Sequence, residues 1–303
     1  MTPVVCVVGT GFSGSTLLSF LLNAHPEVAS VGEATGPFDQ WADQRTYPCS
    51  CGETLAECAF WKRVGEEMRA RGSAFGPNCW NLEFRIARSR PLNHLLSRSL
   101  RNNALDAARD RLVRAVPVWR NMLEAQADRN ERLVASVLAI TGKRVFLDAS
   151  KDPVRARELL RLTRLDLRVV HLVRDTPGFV SSFIKNTRGS MGLGIRYWNR
   201  MAGHVERLAA LLPDDRFLRV RYEDLCVATD DVLARITGFA GLGPMRGPVD
   251  FRSTPHHVIG NRMRLTGSSE VRLDESWRER LSAEQVRAIL RGSRRRRARL
   301  GYA

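Results

Sequence analysis

The sequence predicts an α/β fold, a parallel sheet flanked by helices, and three observations carry that prediction. Short apolar runs rich in β-branched residues recur at residues 4–8, 144–147, 167–173 and 216–220. Helical patterns separate these runs, and strands of a parallel sheet, buried on both faces, read as such near-continuous apolar stretches. A glycine-rich loop, Gly9-Thr10-Gly11-Phe12-Ser13-Gly14-Ser15-Thr16, leaves the first run and opens an apolar helix at Leu17.

Each element follows in order. Residues 4–8 form the first strand, with Cys6 in the core. The loop after it lets the backbone turn tightly and point N–H groups inward, and the helix that follows adds the positive end of its dipole, so an anion is expected there. Its spacing is that of a phosphate loop, G-x-x-x-x-G-K-[ST], except that Ser15 stands where the lysine should be. An NTPase needs that lysine on the β- and γ-phosphates; a donor without a β,γ-phosphate chain does not. A short strand at residues 28–31 then leads to Glu33, placed to face the ligand of the loop. Residues 36–141 read as a mostly helical insertion over the C-terminal edge of the sheet, where open α/β sheets bind ligands. Within it, residues 91–103 and 118–140 show apolar positions at helical spacing. The second long strand closes in Asp148-Ala149-Ser150-Lys151, and the third in His171-Leu172-Val173-Arg174-Asp175. A helix carrying Ser181, Ser182 and Lys185 in its first turns comes next. The whole, residues 1–303, reads as one domain of P-loop type.

Composition limits the function. The formal net charge is +16, and only Lys62, Lys143, Lys151 and Lys185 among the cations are lysines. A basic surface favours anionic ligands, but an arginine excess this general does not by itself argue for nucleic acid. The run Arg294-Arg295-Arg296-Arg297 suits a solvated helix end or tail, with peripheral contact to acidic lipid as the competing reading. No segment approaches a bilayer span and the N-terminus shows no secretory signal, so the cytoplasm is the expected compartment, with the six cysteines reduced. Cys49, Cys51 and Cys58, with Cys79 as a fourth ligand, suggest zinc by type, but the usual C-x-x-C pairing is absent. A packed loop without metal is the favoured reading.

Two motifs converge on anion chemistry. Arg174 at a strand end offers a planar fork for a phosphate, and Ser182 at the start of the next helix offers a hydroxyl donor. Taken with the lysine-less loop, they resemble the PAPS-dependent sulfotransferases, particularly bacterial members and the carbohydrate and tyrosylprotein branches. That resemblance implies that Gly11, Phe12, Ser13, Gly14, Ser15, Thr16 and Leu17 bind the 5′-phosphosulfate of PAPS, and that Arg174 and Ser182 bind its 3′-phosphate. Arg221-Tyr222-Glu223-Asp224-Leu225 is similar to the Y-E-D-L turn of the family, which implies Tyr222 beside the adenosine. The segments Cys49-Ser50-Cys51-Gly52 and His256-His257-Val258-Ile259-Gly260-Asn261 with Arg264 resemble bacterial members, which puts Arg264 among the expected donor-binding residues.

Sulfuryl transfer needs a base for the acceptor proton and a cation for the departing oxygen. Glu33 is the expected base, supported by the matching glutamate of the tyrosylprotein branch, with His25 as its competitor. Most members carry Lys or Arg immediately before the loop Ser-Gly, where this chain has Phe12. Lys151 is the expected substitute. The chemistry requires no metal. The acceptor is expected to be a carbohydrate or glycolipid hydroxyl, a phenolic small molecule or a peptide tyrosine. Trp41, Trp61, Trp80, Arg85, Arg88 and Trp119 are available to shape its pocket. Two other classes compete: a P-loop kinase or NTPase, kept open by Phe146-Leu147-Asp148, and a non-catalytic nucleic-acid-binding protein.

Overall fold

Five parallel strands, β1 (Pro3–Gly9), β2 (Val28–Ser30), β3 (Val145–Lys151), β4 (Asp166–Val173) and β5 (Phe217–Arg221), lie side by side in the order β2-β3-β1-β4-β5. They come from a computed structural model that describes residues 1–36, 43–87, 89–97, 100, 102–245, 250–251, 253–265 and 270–302. Side chains along β1 alternate between two cores. Val4, Cys6 and Val8 face one, Val5 and Val7 the other. Period-two alternation on a doubly covered strand requires apolar residues at every position, and that is why the run is continuous.

The helices fill both faces. Helix α1 (Ser15–Asn23) follows β1 and packs Leu18 and Leu21 with Val5 and Val7. Between β2 and β3 come α2 (Ala59–Ala70), α3 (Arg90–Ser97), α4 (Asn103–Ala115) and α5 (Pro117–Thr141), and α2 and α5 cover the opposite face through Trp61, Met68, Leu133 and Val137. Each fully buried side chain of this size contributes about 1.5–3 kcal/mol. The expected helix over 91–103 is shorter than its apolar pattern: α3 ends at Ser97, and the Asn102 side chain caps a new helix by accepting from the Leu105 amide at 2.9 Å. Helix α5 runs one residue further at each end than its pattern, with Pro117 in its first turn and Gly142 left-handed just past its last.

Helix α6 (Pro153–Leu162) joins β3 to β4, while α7 (Thr176–Thr187) and α8 (Met191–Ala209) lead from β4 to β5. After β5, α9 (Tyr222–Val227) and α10 (Thr229–Phe239) complete the face of α1, α11 (Trp277–Arg280) is a single turn, and α12 (Ala283–Arg299) packs on α7 and α8. The arginine run is therefore not a loose tail. Arg296 pairs with Glu206 at 2.7 Å and Arg297 with Asp175 at 2.8 Å, leaving Arg294 and Arg295 exposed. Among the described residues no helix is long and apolar enough to cross a membrane.

The second long strand continues four residues past its apolar run, through Lys151. Opposite Cys6 to Val8, β3 carries one extra residue: Cys6 pairs with Asp148, yet Val8 pairs with Lys151. Such a bulge re-aims the side chains beyond it. Lys151 itself is left-handed, with φ +66°.

Candidate active site

A cleft of about 840 Å³ opens at the C-terminal edge of the sheet, floored by the glycine loop and the start of α1. Gly14 precedes α1 in a left-handed conformation, and no side chain caps the helix. The first-turn amides therefore point into the cleft, as an anion site requires. Glycine is demanded at position 14 by contact as well as by φ, because a Cβ there would lie 2.6 Å from the Tyr222 ring. Thr10 and Ser13 tie the loop internally, Oγ1 to Oγ at 2.6 Å.

Opposite the loop, Glu33 is 6% exposed. Its amide donates to the Ile259 carbonyl at 2.9 Å, and the approach of that segment leaves no room for a side chain at Gly32, whose Cβ would lie 2.0 Å from the Ile259 oxygen. The Glu33 carboxylate meets Lys151: Nζ to Oε1 is 2.6 Å. A Cβ placed on Gly260 would lie 3.0 Å from Thr16 Oγ1 and 3.4 Å from Glu33 Oε1, so the hydroxyl at the start of α1 and the carboxylate face the same point. His25 is elsewhere, buried with Nε2 against the Gly243 carbonyl and Nδ1 accepting from the Glu27 amide. The Asp148 that kept a kinase open is a buried anchor: it pairs with Arg155 at 2.9 Å and accepts from the Ser150 hydroxyl and amide.

A second cluster lies behind the loop. Arg174, 5% exposed, donates to the Phe12 carbonyl at 3.1 Å and to Ser182 Oγ at 3.3 Å. Its guanidinium carbon stands 4.5 Å from the centre of the Tyr222 ring. The remaining side of the fork is taken by Asp274, through its carbonyl at 2.7 Å and its carboxylate at 3.0 Å. Burial pushes the Asp274 carboxyl upward, but hydrogen bonds from Ser276 and Arg174 outweigh it and hold the pKa down at about 2. Burial raises the Tyr222 phenol to about 12, so it remains neutral, accepting from the Asp274 amide at 3.2 Å.

Of the residues named from sequence, Gly11, Phe12, Gly14, Ser15, Thr16, Leu17, Glu33 and Lys151 line the open cleft. Ser13 is buried beneath the loop, and Arg174, Ser182 and Tyr222 converge behind it. Arg264 does not line the cleft but stands behind its wall: its guanidinium donates to the Pro48 and Gly260 carbonyls, lies 4.4 Å from the centre of the Tyr47 ring and is near enough to Glu33 for the two charges to interact. Trp61 and Trp80 are core residues, Trp119 packs against the core, and Arg85 reaches the cleft. Trp41 and Arg88 lie outside the described residues. The cleft also recruits residues that sequence reasoning passed over: Tyr197, Arg200, Met201 and His204 on one face of α8, with Phe183 of α7. Their spacing of three and four along an amphipathic helix was the available signal.

A model of the sulfotransferase family matches residues 3–245. Among solved structures, the chain is similar to the sulfotransferase domain of the Synechococcus PCC 7002 olefin synthase, at 18% identity and a TM-score of 0.54 over 95% of this chain and 93% of that one. The sulfotransferase domain from the curacin biosynthetic pathway matches at 14% identity and a TM-score of 0.53, over 100% and 99%. At these identities the likeness is one of fold. No curated protein matches the sequence.

Proposed function

The chain belongs to the sulfotransferase family, and we propose that it moves a sulfonate from PAPS to an acceptor hydroxyl, with Glu33 as general base and Lys151 beside the departing oxygen. The observation that carries this reading is the Glu33–Lys151 pair facing Thr16 at the uncapped start of α1. It sets a proton acceptor and a cation across from an anion-binding helix end, the three parts that an in-line sulfuryl transfer needs.

The residues present fit PAPS. The loop and α1 amides suit its 5′-phosphosulfate, and the buried Arg174–Ser182 pair over Tyr222 suits its 3′-phosphate. When bound, PAPS supplies the sulfonate and a phosphate leaving group. Glu33 takes the proton of the acceptor hydroxyl. Lys151, released from Glu33, neutralises charge on the leaving oxygen, where a positioned cation acts on the charge as it develops. Thr16 and the α1 amides hold the group in line. Separating the ion pair is part of the cycle, since Lys151 sits on the Glu33 carboxylate until the two part.

Within this reading residues 1–303 are one domain, and the segment at 36–141 contributes to the acceptor side through Glu83, Phe84, Arg85 and Asn93. The mixture of Phe84, Phe183 and Tyr197 with Arg85 and Arg200 supports an acceptor with both an apolar or sugar face and polar substituents. A carbohydrate or glycolipid, or a phenolic small molecule, fits that lining best.

Calorimetry with 3′,5′-ADP and with ATP, each with and without Mg²⁺, tests the donor. Binding of 3′,5′-ADP without metal is expected; tight, Mg²⁺-dependent ATP binding with no response to 3′,5′-ADP would sink the proposal. Radiolabelled PAPS transfer over sugars, phenols and peptides then identifies the acceptor.

A further inference from the structure

Outside the cleft, Cys49, Cys51, Cys58 and His257 bring their ligand atoms within 4.8 Å of one another. All three sulfurs are free thiols. The partner that completes the group is not Cys79, which packs its sulfur toward the Ala74 carbonyl at 3.8 Å, but a histidine 199 residues along the chain from Cys58. We propose that these four side chains form a structural zinc site of Cys₃His type, distinct from the transfer chemistry and independent of the donor assignment.

Four of the six distances between the ligand atoms are close to the edges of a tetrahedral site. Zn–S bonds of about 2.3 Å and Zn–N bonds of about 2.0 Å give S···S edges of about 3.8 Å and S···N edges of about 3.5 Å. The Cys51–Cys58 and Cys49–Cys58 sulfurs are 3.6 and 4.0 Å apart, and His257 Nδ1 stands 3.3 Å from Cys58 Sγ and 3.9 Å from Cys49 Sγ. A disulfide would need about 2.05 Å.

Backbone groups frame the sulfurs: the amides of Cys51, Glu53 and Trp61 lie against the sulfurs of Cys49, Cys51 and Cys58 in turn. The His257 ring is fixed by Phe60, stacked at 4.5 Å with planes 4° apart. Binding Zn²⁺ would release three protons, one per thiol, with no change of oxidation state, and leave a site of net charge −1. Arg264, which donates to the carbonyl of Pro48 next to Cys49 at 3.0 Å, is the cation that offsets it.

The metal would fasten two distant segments. Ser50 already bridges them, donating to the His256 carbonyl at 2.8 Å and accepting from the Val258 amide at 2.8 Å. The same segment continues to Ile259 and Gly260, which hold Glu33 and stand against Thr16. Zinc would thus stiffen the wall that carries the carboxylate. This differs from the metal-free loop expected from the Cys spacing, and the reason is topological: the fourth ligand arrives from the far end of the chain.

Elemental analysis of the full chain, purified under reducing conditions from zinc-supplemented cells, is expected to give one equivalent of zinc. Cobalt exchange should give the intense ligand-field bands and thiolate charge-transfer absorption of tetrahedral sulfur coordination. Cys51→Ser, at an exposed position, should weaken the metal by about a hundredfold or more, and His257→Ala should shift the cobalt bands. Cys79→Ser and Cys226→Ser should leave both readouts unchanged. Folded protein with no zinc and no cobalt spectrum after reconstitution would overturn the proposal, as would a Cys51–Cys58 disulfide in protein kept reduced or equal metal loss in Cys79→Ser.

Discussion

Lys151 Nζ lies 2.6 Å from Glu33 Oε1, although Lys151 ends β3 and Glu33 lies three residues past β2, and neither side chain is more than 14% exposed. In the reaction proposed above, this is where a proton is taken and a negative charge is met, and each partner masks the other until a donor separates them.

Glu33→Gln keeps the shape and removes the base. Turnover of PAPS is expected to fall by about 10²- to 10⁴-fold, while 3′,5′-ADP affinity by calorimetry stays within about twofold. Full activity in this variant would reject Glu33 as the base.

Lys151→Ala is expected to lower kcat by the equivalent of about 2–4 kcal/mol. Lys151→Gly should be equally slow yet more stable than the alanine variant by about 1 kcal/mol, because φ +66° is strained for any residue with a Cβ. Phe12→Lys in the Lys151→Ala background restores the cation that other family members carry before the loop Ser-Gly, and part of the lost rate should return. Kinetics and thermal unfolding separate the chemical from the backbone effect.

Arg174 and Asp274 should act in opposite directions. Removing the guanidinium in Arg174→Ala costs charge-assisted hydrogen bonds of about 1.5–3 kcal/mol each, so 3′,5′-ADP binding should weaken by about tenfold or more. Asp274→Asn removes the carboxylate now seated on that fork and should tighten binding several-fold. A weaker complex in Asp274→Asn would mean that the carboxylate orients Arg174 rather than competing for it. Because the Asp274 pKa is held at about 2, this difference should be constant from pH 5 to pH 8.

His171 supplies a pH dependence of stability unrelated to catalysis. Burial, reinforced by Arg219, depresses its pKa from 6.5 to about 3. The unfolded chain therefore binds a proton that the folded one refuses between those values, so the contribution is intact above pH 6.5 and is lost as pH falls toward 3. The slope from this group is about 1.4 kcal/mol per pH unit. Urea titrations of His171→Leu should show a shallower acid loss than the wild type by that amount between pH 6 and pH 4.

The strands were legible because burial on both faces makes most of their positions apolar, and those positions run together in the sequence. The loop was legible because its glycines answer local backbone demands. What the residues alone did not reveal was long-range. The meeting of Glu33 with Lys151 depends on β2 and β3 being neighbours, an order no local pattern encodes. Lys143 had no account in the sequence; in the fold its ammonium donates to the carbonyls of Asn23, His25 and Val28, closing the end of α1. Arg264 is expected at the donor on resemblance alone; in the fold it packs under Tyr47 and donates to the Gly260 carbonyl, a contact no local pattern encodes. Tyr197, Arg200 and His204 were missed because a helical stripe reads first as core.

The extra residue in β3 makes the placement of Lys151 a matter of chain length as well as of side-chain choice. On an unbulged strand a lysine at this place would emerge on the other side of the sheet. A lineage losing one residue of β3 would therefore turn this ammonium away from Glu33 without any substitution at position 151.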